Sequence, residues 1–346
     1  TAEPQAIQPA PPPRPRRGRL KLGCQKRPTT AEGVQIWQRF GVTHVCGGPE
    51  PKNPERGYWT VEELSKVRDL CEAGKLTLEM MWEPFLNSSH IHTVDRPAIM
   101  LGKSPDRDRD IECFQKHIEN CAAVGVTSVK YNLTLLGVPR TARTPGRGGA
   151  SYSTWKLADA KQQAEGKTIA GRVTADLYWE RITYFLERVV PVAEQYKVRL
   201  ACHPQDPGLP FAFQGVDAVL GTVEGLKRFV AIKQSPYHGL NFCQGTISEM
   251  LQNPGEEIHD VIRWFGTRGK IFNVHFRNIR GRRDDFREVY PDEGDVDMWK
   301  AVRTYKEVGY DGMLMYDHVP AAPGDTEASR AFAYGYIRAL IQAAES

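Results

Sequence analysis

The chain lacks the features that mark several protein classes. No hydrophobic run approaches the roughly 18 residues of a membrane-spanning helix. Its seven cysteines are odd in number, widely spaced and without a Cys-x-x-Cys pair, which argues against a disulfide framework or a zinc finger. No G-x-G-x-x-G motif follows the first predicted strand, so a dinucleotide-binding Rossmann domain is disfavoured. A net charge of only +4 gives no reason to expect a nucleic-acid partner, and we predict neither a nucleic-acid nor a membrane partner.

The composition predicts one globular domain after a short unusual segment. Of 346 residues, 40% are hydrophobic and 25% are charged, which is ordinary for a globular protein. Residues 1–18 are rich in proline and arginine, and we expect them to be disordered or extended. Residues 19–346 are predicted to form a single catalytic domain. A cytoplasmic location is the default expectation, although a segment left after cleavage of an export signal would look similar.

Strands and helices alternate along the chain from residue 20. We predict strands over residues 20–25, 43–46, 77–82 and 127–131, followed by four that end at 203, 243, 275 and 317. The predicted helices span residues 30–40, 60–73, 108–123, 174–196, 223–231, 256–266, 297–308 and 326–344. Eight alternating units favour an α/β fold of the (β/α)8 TIM-barrel type. Residues 133–172 form a long loop insertion after the fourth strand, and we predict a lid, a substrate loop or a disordered excursion there.

A possible metal ligand stands at the end of each of the last four predicted strands. These ligands are His203, Cys243, His275 and Asp317. In a barrel of this kind the carboxyl ends of the strands meet at one rim, so the four side chains are expected to converge. Two imidazoles, a thiolate and a carboxylate suit a borderline divalent cation. We expect Mn²⁺ or Fe²⁺, while Zn²⁺ and Co²⁺ stay open.

Several segments resemble the mannonate dehydratase family of the xylose-isomerase-like barrels. They are His203-Pro-Gln-Asp-Pro207, Asn241-Phe-Cys-Gln-Gly-Thr246, Val274-His-Phe-Arg-Asn278, Gly294-Asp-Val-Asp-Met298, Asp317-His318 and Gly125-Val-Thr-Ser-Val-Lys-Tyr-Asn132. The similarity runs from about Leu76 to the C-terminus and is strongest after Thr174. The chain departs from the family pattern at Gln205, in the stretch after Asn132, and at Val319.

The resemblance implies a carbohydrate-metabolising lyase. Its activity would be the metal-dependent dehydration of D-mannonate to 2-keto-3-deoxy-D-gluconate. It also implies that His203, Cys243, His275 and Asp317 bind Mn²⁺ or a similar ion. His318 corresponds to an acid/base residue of the family, and Tyr336 to a tyrosine thought to assist it.

Further residues at the predicted strand ends are candidates for substrate binding. Arg277 can hold a carboxylate through two hydrogen bonds, and Asn278 stands beside it. Tyr131 and Asn132 close the fourth strand and can bind hydroxyl groups, while Glu83 ends the third strand as a further base or ligand. The basic stretch 277–287 is predicted to be a loop over the site that attracts an anionic sugar.

Other functions are compatible with a single metal centre on such a barrel. The main alternative is a metal-dependent sugar isomerase or epimerase, which needs the same metal and bases but no acid for a leaving group. A multi-metal phosphodiesterase would need more ligands than the sequence offers, and a non-catalytic barrel would not need His318. The expected partner is a small sugar acid, and we expect a homo-oligomer because barrels of this kind often associate through their helices.

Overall fold

A computed structural model describes residues 19–50 and 55–346 as a closed barrel with surrounding helices and a small added sheet. The strands are β1 (Lys21–Gln25), β2 (His44–Gly47), β3 (Thr77–Trp82), β4 (Ser128–Asn132), β5 (Thr144–Pro145), β6 (Ser151–Tyr152), β7 (Thr154–Lys156), β8 (Arg199–His203), β9 (His238–Cys243), β10 (Ile271–His275), β11 (Ile279–Arg282), β12 (Asp285–Glu288) and β13 (Met313–Met315). The helices are α1 (Ala31–Arg39), α2 (Val61–Ala73), α3 (Ala98–Leu101), α4 (Asp106–Ala123), α5 (Lys161–Ala164), α6 (Ala175–Tyr196), α7 (Val223–Ile232), α8 (Gln244–Ser248), α9 (Pro254–Thr267), α10 (Met298–Glu307) and α11 (Thr326–Glu345).

The barrel consists of eight parallel strands in the order β1, β2, β3, β4, β8, β9, β10 and β13, and β13 pairs with β1 to close it. Each barrel strand is followed by a helix, so the polypeptide returns to the same end before the next strand begins. The predicted (β/α)8 TIM barrel is therefore confirmed. All eight carboxyl ends lie at one rim, which is where enzymes of this fold carry their chemistry.

Local sequence signals set the ends of the helices. Thr60 caps α2 by accepting a hydrogen bond from the Glu63 amide, and Glu63 accepts one from the Thr60 amide in return. The Thr174 side chain caps α6 by accepting a hydrogen bond from the Leu177 amide. Helices α1, α2, α4, α6, α7, α9, α10 and α11 match the eight predicted helices within two residues at each end.

An aromatic layer fills the space between the strands and helices on one side of the barrel. The ring of Tyr131 in β4 packs edge-on against Phe114 of α4 and tilted against Phe185 of α6, with centroids 5.5 and 5.7 Å apart. Side chains alternate along a strand, so the neighbours Lys130 and Asn132 lie on the opposite, inward face of β4. This alternation decides which residues of β4 can reach the barrel axis.

The insertion after β4 contains regular structure. Its strand β7 pairs antiparallel with β12, and β12 pairs with β11 to form a three-stranded sheet. Strands β11 and β12 form a hairpin within residues 277–287, so the prediction of a loop there was wrong. The hairpin forms because an aspartate with positive φ, Asp284, allows a tight turn at Arg283 and Asp284. The sheet carries Glu288 to the barrel rim.

The disordered or extended segment predicted over residues 1–18 lies outside the described residues. None of the helices described is both long enough and apolar enough to cross a membrane.

Candidate active site

The four predicted metal ligands converge at the carboxyl rim of the barrel. One potential ligand atom from each of His203, Cys243, His275 and Asp317 lies within 4.8 Å of the others. Strand register explains part of this convergence, because Cys243 and His275 are paired positions on β9 and β10. Asp317 follows β13, which is the next strand around the barrel.

The two histidines present suitable nitrogen atoms. Nδ1 of His203 lies 2.7 Å from the Pro204 carbonyl oxygen and donates to it, which leaves Nε2 as the ligand atom. Burial and the nearby Lys130 lower the pKa of His203 to about 4, so its imidazole is neutral at physiological pH. Nδ1 of His275 is buried and forms no hydrogen bond with the described residues, although it lies 3.3 Å from Oδ1 of Asp317. Nε2 of His275 lies 3.0 Å from Oε1 of Gln25.

Cys243 lies at the junction between β9 and the short helix α8. Its Sγ accepts hydrogen bonds from the Thr246 hydroxyl at 3.1 Å and the Thr246 amide at 3.4 Å. Burial opposes ionisation of the thiol, but Arg277 and His275 outweigh it and lower the pKa of Cys243. A thiol that ionises more readily is a better metal ligand.

Asp317 is held from three directions. The Gln25 side-chain amide donates to Oδ1 at 2.6 Å, and Nδ1 of His275 lies 3.3 Å from the same oxygen. Nε2 of His318 lies 3.3 Å from Oδ2. Burial acts against the charged carboxylate, but His275 and His318 dominate and lower the pKa of Asp317 well below its usual range.

This donor set fits a divalent cation. The set contains two imidazoles, of which that of His203 is neutral, together with a thiol with a lowered pKa and an ionised carboxylate. The buried Nδ1 of His275 forms no hydrogen bond with the described residues. Four ligands of these types satisfy a borderline metal and leave coordination positions for a substrate if the ion accepts five or six ligands. The nature of the ion does not follow from these residues.

His318 connects the ligand cluster to a buried glutamate. Its Nδ1 lies 2.6 Å from Oε2 of Glu288, and 49% of the His318 side chain is exposed while Glu288 is buried. Burial disfavours the imidazolium, yet Glu288 and Asp317 outweigh it and raise the pKa of His318 well above its usual value. The imidazole therefore lies between a carboxylate outside the cluster and a carboxylate within it.

Glu288 belongs to a buried network of charged side chains. Arg277 contacts Asp206 at 3.0 Å, Glu249 at 2.8 Å and Glu288 at 3.0 Å. Arg140 of the insertion contacts Asp206 at 2.6 Å and Glu288 at 2.5 Å. Although Asp206, Glu249 and Glu288 are close enough to hold an ion, two guanidinium groups already occupy the space between them. Through Arg277 and Arg140, the network connects the candidate ligand Cys243 with the insertion.

Two predicted substrate-binding residues have their side chains engaged within the protein. The Arg277 guanidinium contacts the buried carboxylates and lies 3.7 Å from Sγ of Cys243. The Asn278 amide donates to the Pro291 and Val296 carbonyl oxygens and accepts from the Ile279 and Val296 amides. Both side chains therefore connect neighbouring segments of the rim, and their role in substrate binding stays a prediction.

Of the four other predicted site residues, only Asn132 borders the ligand cluster. Asn132 is buried and lies opposite His203 in the pairing of β4 with β8, so it borders the cluster, whereas Tyr131 points to the helices. One carboxylate oxygen of Glu83 accepts hydrogen bonds from the Phe85 and Leu86 amides and fixes the turn after β3. Tyr336 is half-buried on α11, where its ring stacks on Phe332.

A cavity of about 190 Å³ opens beside the cluster. Gln25, Asp317 and His318 form part of its wall, together with Arg330 and Tyr334 of α11. The face of α11 that reaches the cavity therefore presents Tyr334 rather than Tyr336. Larger depressions elsewhere on the surface lie away from the four ligands.

Sequence reasoning missed three residues that contact the predicted site. Gln25 bridges Asp317 and Lys130, Lys130 lies 3.4 Å from His275, and Glu288 contacts His318. The one available signal was Lys130, a charged residue in the middle of a predicted barrel strand. Gln25 and Glu288 occupy strand ends that look like ordinary polar termini.

Comparison with known proteins agrees with the fold and with the family resemblance of the sequence. Residues 154–345 match the family model described as D-mannonate dehydratase (UxuA). The mannonate dehydratase of Thermotoga maritima is 30% identical over 349 aligned positions, which cover 89% of this chain and 92% of that protein. Mannonate dehydratase 2 of Halalkalibacterium halodurans is 26% identical, over 84% of this chain and 89% of its own.

Solved structures show the same architecture. The mannonate dehydratase of Streptococcus suis serotype 2 superposes with a TM-score of 0.79 at 22% identity, covering 94% of both chains. A D-tagatose 3-epimerase-like protein shares the barrel with a TM-score of 0.57 at 17% identity, over 94% of this chain and 98% of that chain. Both likenesses concern the fold alone, whereas the family model and the Thermotoga maritima relative identify the family. The chain therefore belongs to the mannonate dehydratase family, and it is a carbon–oxygen lyase of the type that dehydrates sugar acids.

Proposed function

We propose that this protein removes water from D-mannonate to give 2-keto-3-deoxy-D-gluconate and that the reaction needs a divalent metal ion. The observation that carries the proposal is the contact between His318 and the ligand cluster, with Nε2 3.3 Å from Oδ2 of Asp317. This contact supports a role for His318 in proton transfer beside a site suited to a cation. Mn²⁺ and Fe²⁺ are the proposed ions, held by His203, Cys243, His275 and Asp317.

The reaction breaks two bonds of the sugar acid. C2 loses its proton and the C3–O bond breaks. The hydroxyl of C3 is protonated and leaves as water. The resulting enol takes a proton at C3 and becomes the 2-keto product. A bound divalent cation supplies Lewis-acid stabilisation for the negative charge that develops on the carboxylate when the C2 proton leaves.

His318 is the proposed acid/base residue. It borders the cavity, and its half-exposed ring can reach a molecule bound there. Oε2 of Glu288 accepts a hydrogen bond from Nδ1 of His318 at 2.6 Å and thus directs Nε2 towards the ligand cluster. An imidazolium in this position can protonate the leaving hydroxyl, and the imidazole that remains can accept a proton.

Arg277 and Arg140 keep this arrangement in place. Both guanidinium groups hold Oε1 of Glu288, which leaves Oε2 for His318. Arg277 also lies near Sγ of Cys243 and favours its ionised form. These residues are proposed to position the reacting groups rather than to contact the substrate.

Turnover of D-mannonate in D₂O under anaerobic conditions, with added Mn²⁺, tests the proposal. We expect a 2-keto-3-deoxy acid that carries one deuterium at C3, as detected by NMR. His318→Asn should abolish product while leaving the bound metal in place. A product that retains its C3 hydroxyl would instead indicate an isomerase or epimerase.

A further inference from the structure

A lysine side chain lies inside the barrel beside the candidate metal ligands. Lys130 is only 4% exposed and extends from the inward face of β4. Its Nζ lies 2.7 Å from Oε1 of Gln25 and 3.4 Å from Nε2 of His275. Nothing in the proposed reaction so far uses this group.

The Lys130 ammonium has few acceptors within the protein. Among the described residues, no carboxylate lies within 4 Å of Nζ. When Nδ1 of His275 binds a cation, Nε2 carries the proton and donates to Gln25, so it cannot accept from Lys130. One oxygen then remains for three N–H donors. A buried cation with so few partners is costly unless another group satisfies it.

With a divalent cation bound by the four candidate ligands, no anion would be left to compensate the charge of Lys130. A divalent cation is neutralised by the Cys243 thiolate and the Asp317 carboxylate, and the two histidines are neutral ligands. The Lys130 ammonium then contributes one uncompensated positive charge at the base of the site. A substrate with one carboxylate supplies the missing negative charge.

Trp82 and Arg27 carry two further buried donors near Lys130. Nζ of Lys130 lies 4.0 Å from the ring centroid of Trp82, and the Arg27 guanidinium lies 5.7 Å from it. Nε1 of Trp82 and Nη1 of Arg27 are buried and have no hydrogen-bond partner in the described part of the chain. Gln25 forms part of the cavity wall and contacts Lys130, so one side chain separates Lys130 from the cavity.

We propose that Lys130, flanked by Arg27 and Trp82, binds the carboxylate of the sugar acid. The inference rests on the proposed function and assigns the carboxylate end of the substrate to a subsite at the β1, β3 and β4 side of the metal site. The proposal assigns the carboxylate to Lys130 instead of Arg277, because the Arg277 guanidinium already contacts Asp206, Glu249 and Glu288. The positive charge of the subsite favours an anion, and the directions of its hydrogen-bond donors fix where the carboxylate binds.

The test compares an acid and an amide that do not react. The 3-deoxy analogue of D-mannonate lacks the leaving hydroxyl, and its carboxamide lacks the charge. Calorimetry measures the affinity of each compound for the metal-loaded enzyme and for Lys130→Met. Loss of a charge-assisted contact should weaken the acid roughly 10- to 100-fold and the amide much less. Lys130→Arg keeps the charge and should retain the preference for the acid.

The outcomes separate this inference from the proposed function. Equal weakening of acid and amide, unchanged binding of both, or no binding of either to the unmodified enzyme would overturn the subsite. D-Mannonate turnover, measured on the same preparation, judges the function independently. An acid-specific loss without any turnover would support the subsite and reject D-mannonate as the substrate. Metal content is measured for every variant, so that a lost ion is not mistaken for a lost anion contact.

A second measurement does not depend on the folding of Lys130→Met. Because the Lys130 ammonium lies over the Trp82 ring, an anion bound there should change the tryptophan fluorescence of the unmodified enzyme. The acid analogue should produce the change and the amide should not. Trp82→Phe should remove the signal, and a response that persists in this variant would contradict the assignment.

Discussion

Oε2 of Glu288 lies 2.6 Å from Nδ1 of His318, and this contact links the added sheet to the candidate active site. Glu288 is the last residue of β12, which pairs with β7 of the insertion. The orientation of the proposed acid/base residue thus depends on two chain segments that are about 130 positions apart. A barrel without the insertion would lack this support.

Removal of the Glu288 charge should impair catalysis more than substrate binding. In Glu288→Gln the imidazole of His318 loses the carboxylate that orients it, and we expect kcat to fall roughly 10- to 100-fold with little change in KM. Steady-state kinetics and metal analysis check this expectation. Glu288→Asp should restore part of the activity.

Glu249→Gln is the matched control for that experiment. Burial and the negative charge of Asp206 raise the pKa of Glu249 well above its usual value, which favours the neutral carboxyl. An amide of the same shape should therefore leave kcat and stability nearly unchanged. A loss equal to that of Glu288→Gln would show that the whole network matters, rather than the contact with His318.

Cys243 and Cys202 should respond differently to the same substitution. Cys243→Ser replaces the proposed thiolate ligand, and we expect weaker retention of Mn²⁺ and a smaller metal-induced rise in Tm. At saturation of roughly 100 times Kd, a bound ion adds about 2.7 kcal/mol to the free energy of unfolding, which makes the difference measurable. Cys202→Ser, one residue before a ligand and also buried, should retain the metal. Equal metal loss in both variants would contradict the assignment.

The unfolding free energy of the metal-free protein should fall between pH 6.5 and pH 4. Burial lowers the pKa of His117 and of His238 from 6.5 to about 4, so in this window the unfolded chain binds protons that the folded chain does not. Stability is present above pH 6.5 and is lost as the pH falls, by roughly 1.4 kcal/mol per pH unit for each histidine. Urea titrations of the protein and of His238→Gln measure the slope. An unchanged slope in the variant would contradict the contribution of His238.

Tyr336→Phe should leave kcat close to that of the unmodified enzyme. The Tyr336 ring stacks on Phe332, and the helix face beside the cavity presents Tyr334 instead. Steady-state rates for Tyr336→Phe and Tyr334→Phe decide between the two tyrosines. A large loss in Tyr336→Phe alone would support the catalytic role that the family resemblance implies for it.

The sequence alone predicted the barrel and the convergence of four potential metal ligands. The periodic apolar segments located the eight principal helices to within two residues, because helix caps and strand ends depend on nearby residues. His203, Cys243, His275 and Asp317 were recognisable because the carboxyl ends of parallel strands share one rim. The single domain, the homo-oligomer and the cytoplasmic location stay predictions.

Only the tertiary structure decided which other polar residues meet at the site. Tyr131 and Lys130 are adjacent in the sequence, but strand alternation directs one to the helices and the other to the barrel axis. Glu288, Arg140 and Gln25 come from distant segments, and no local pattern tells a polar strand end that reaches the centre from one that does not. Local periodicity determined the elements of this protein, whereas long-range packing determined the partners of each charge, because those contacts depend on strand order and register around the closed barrel.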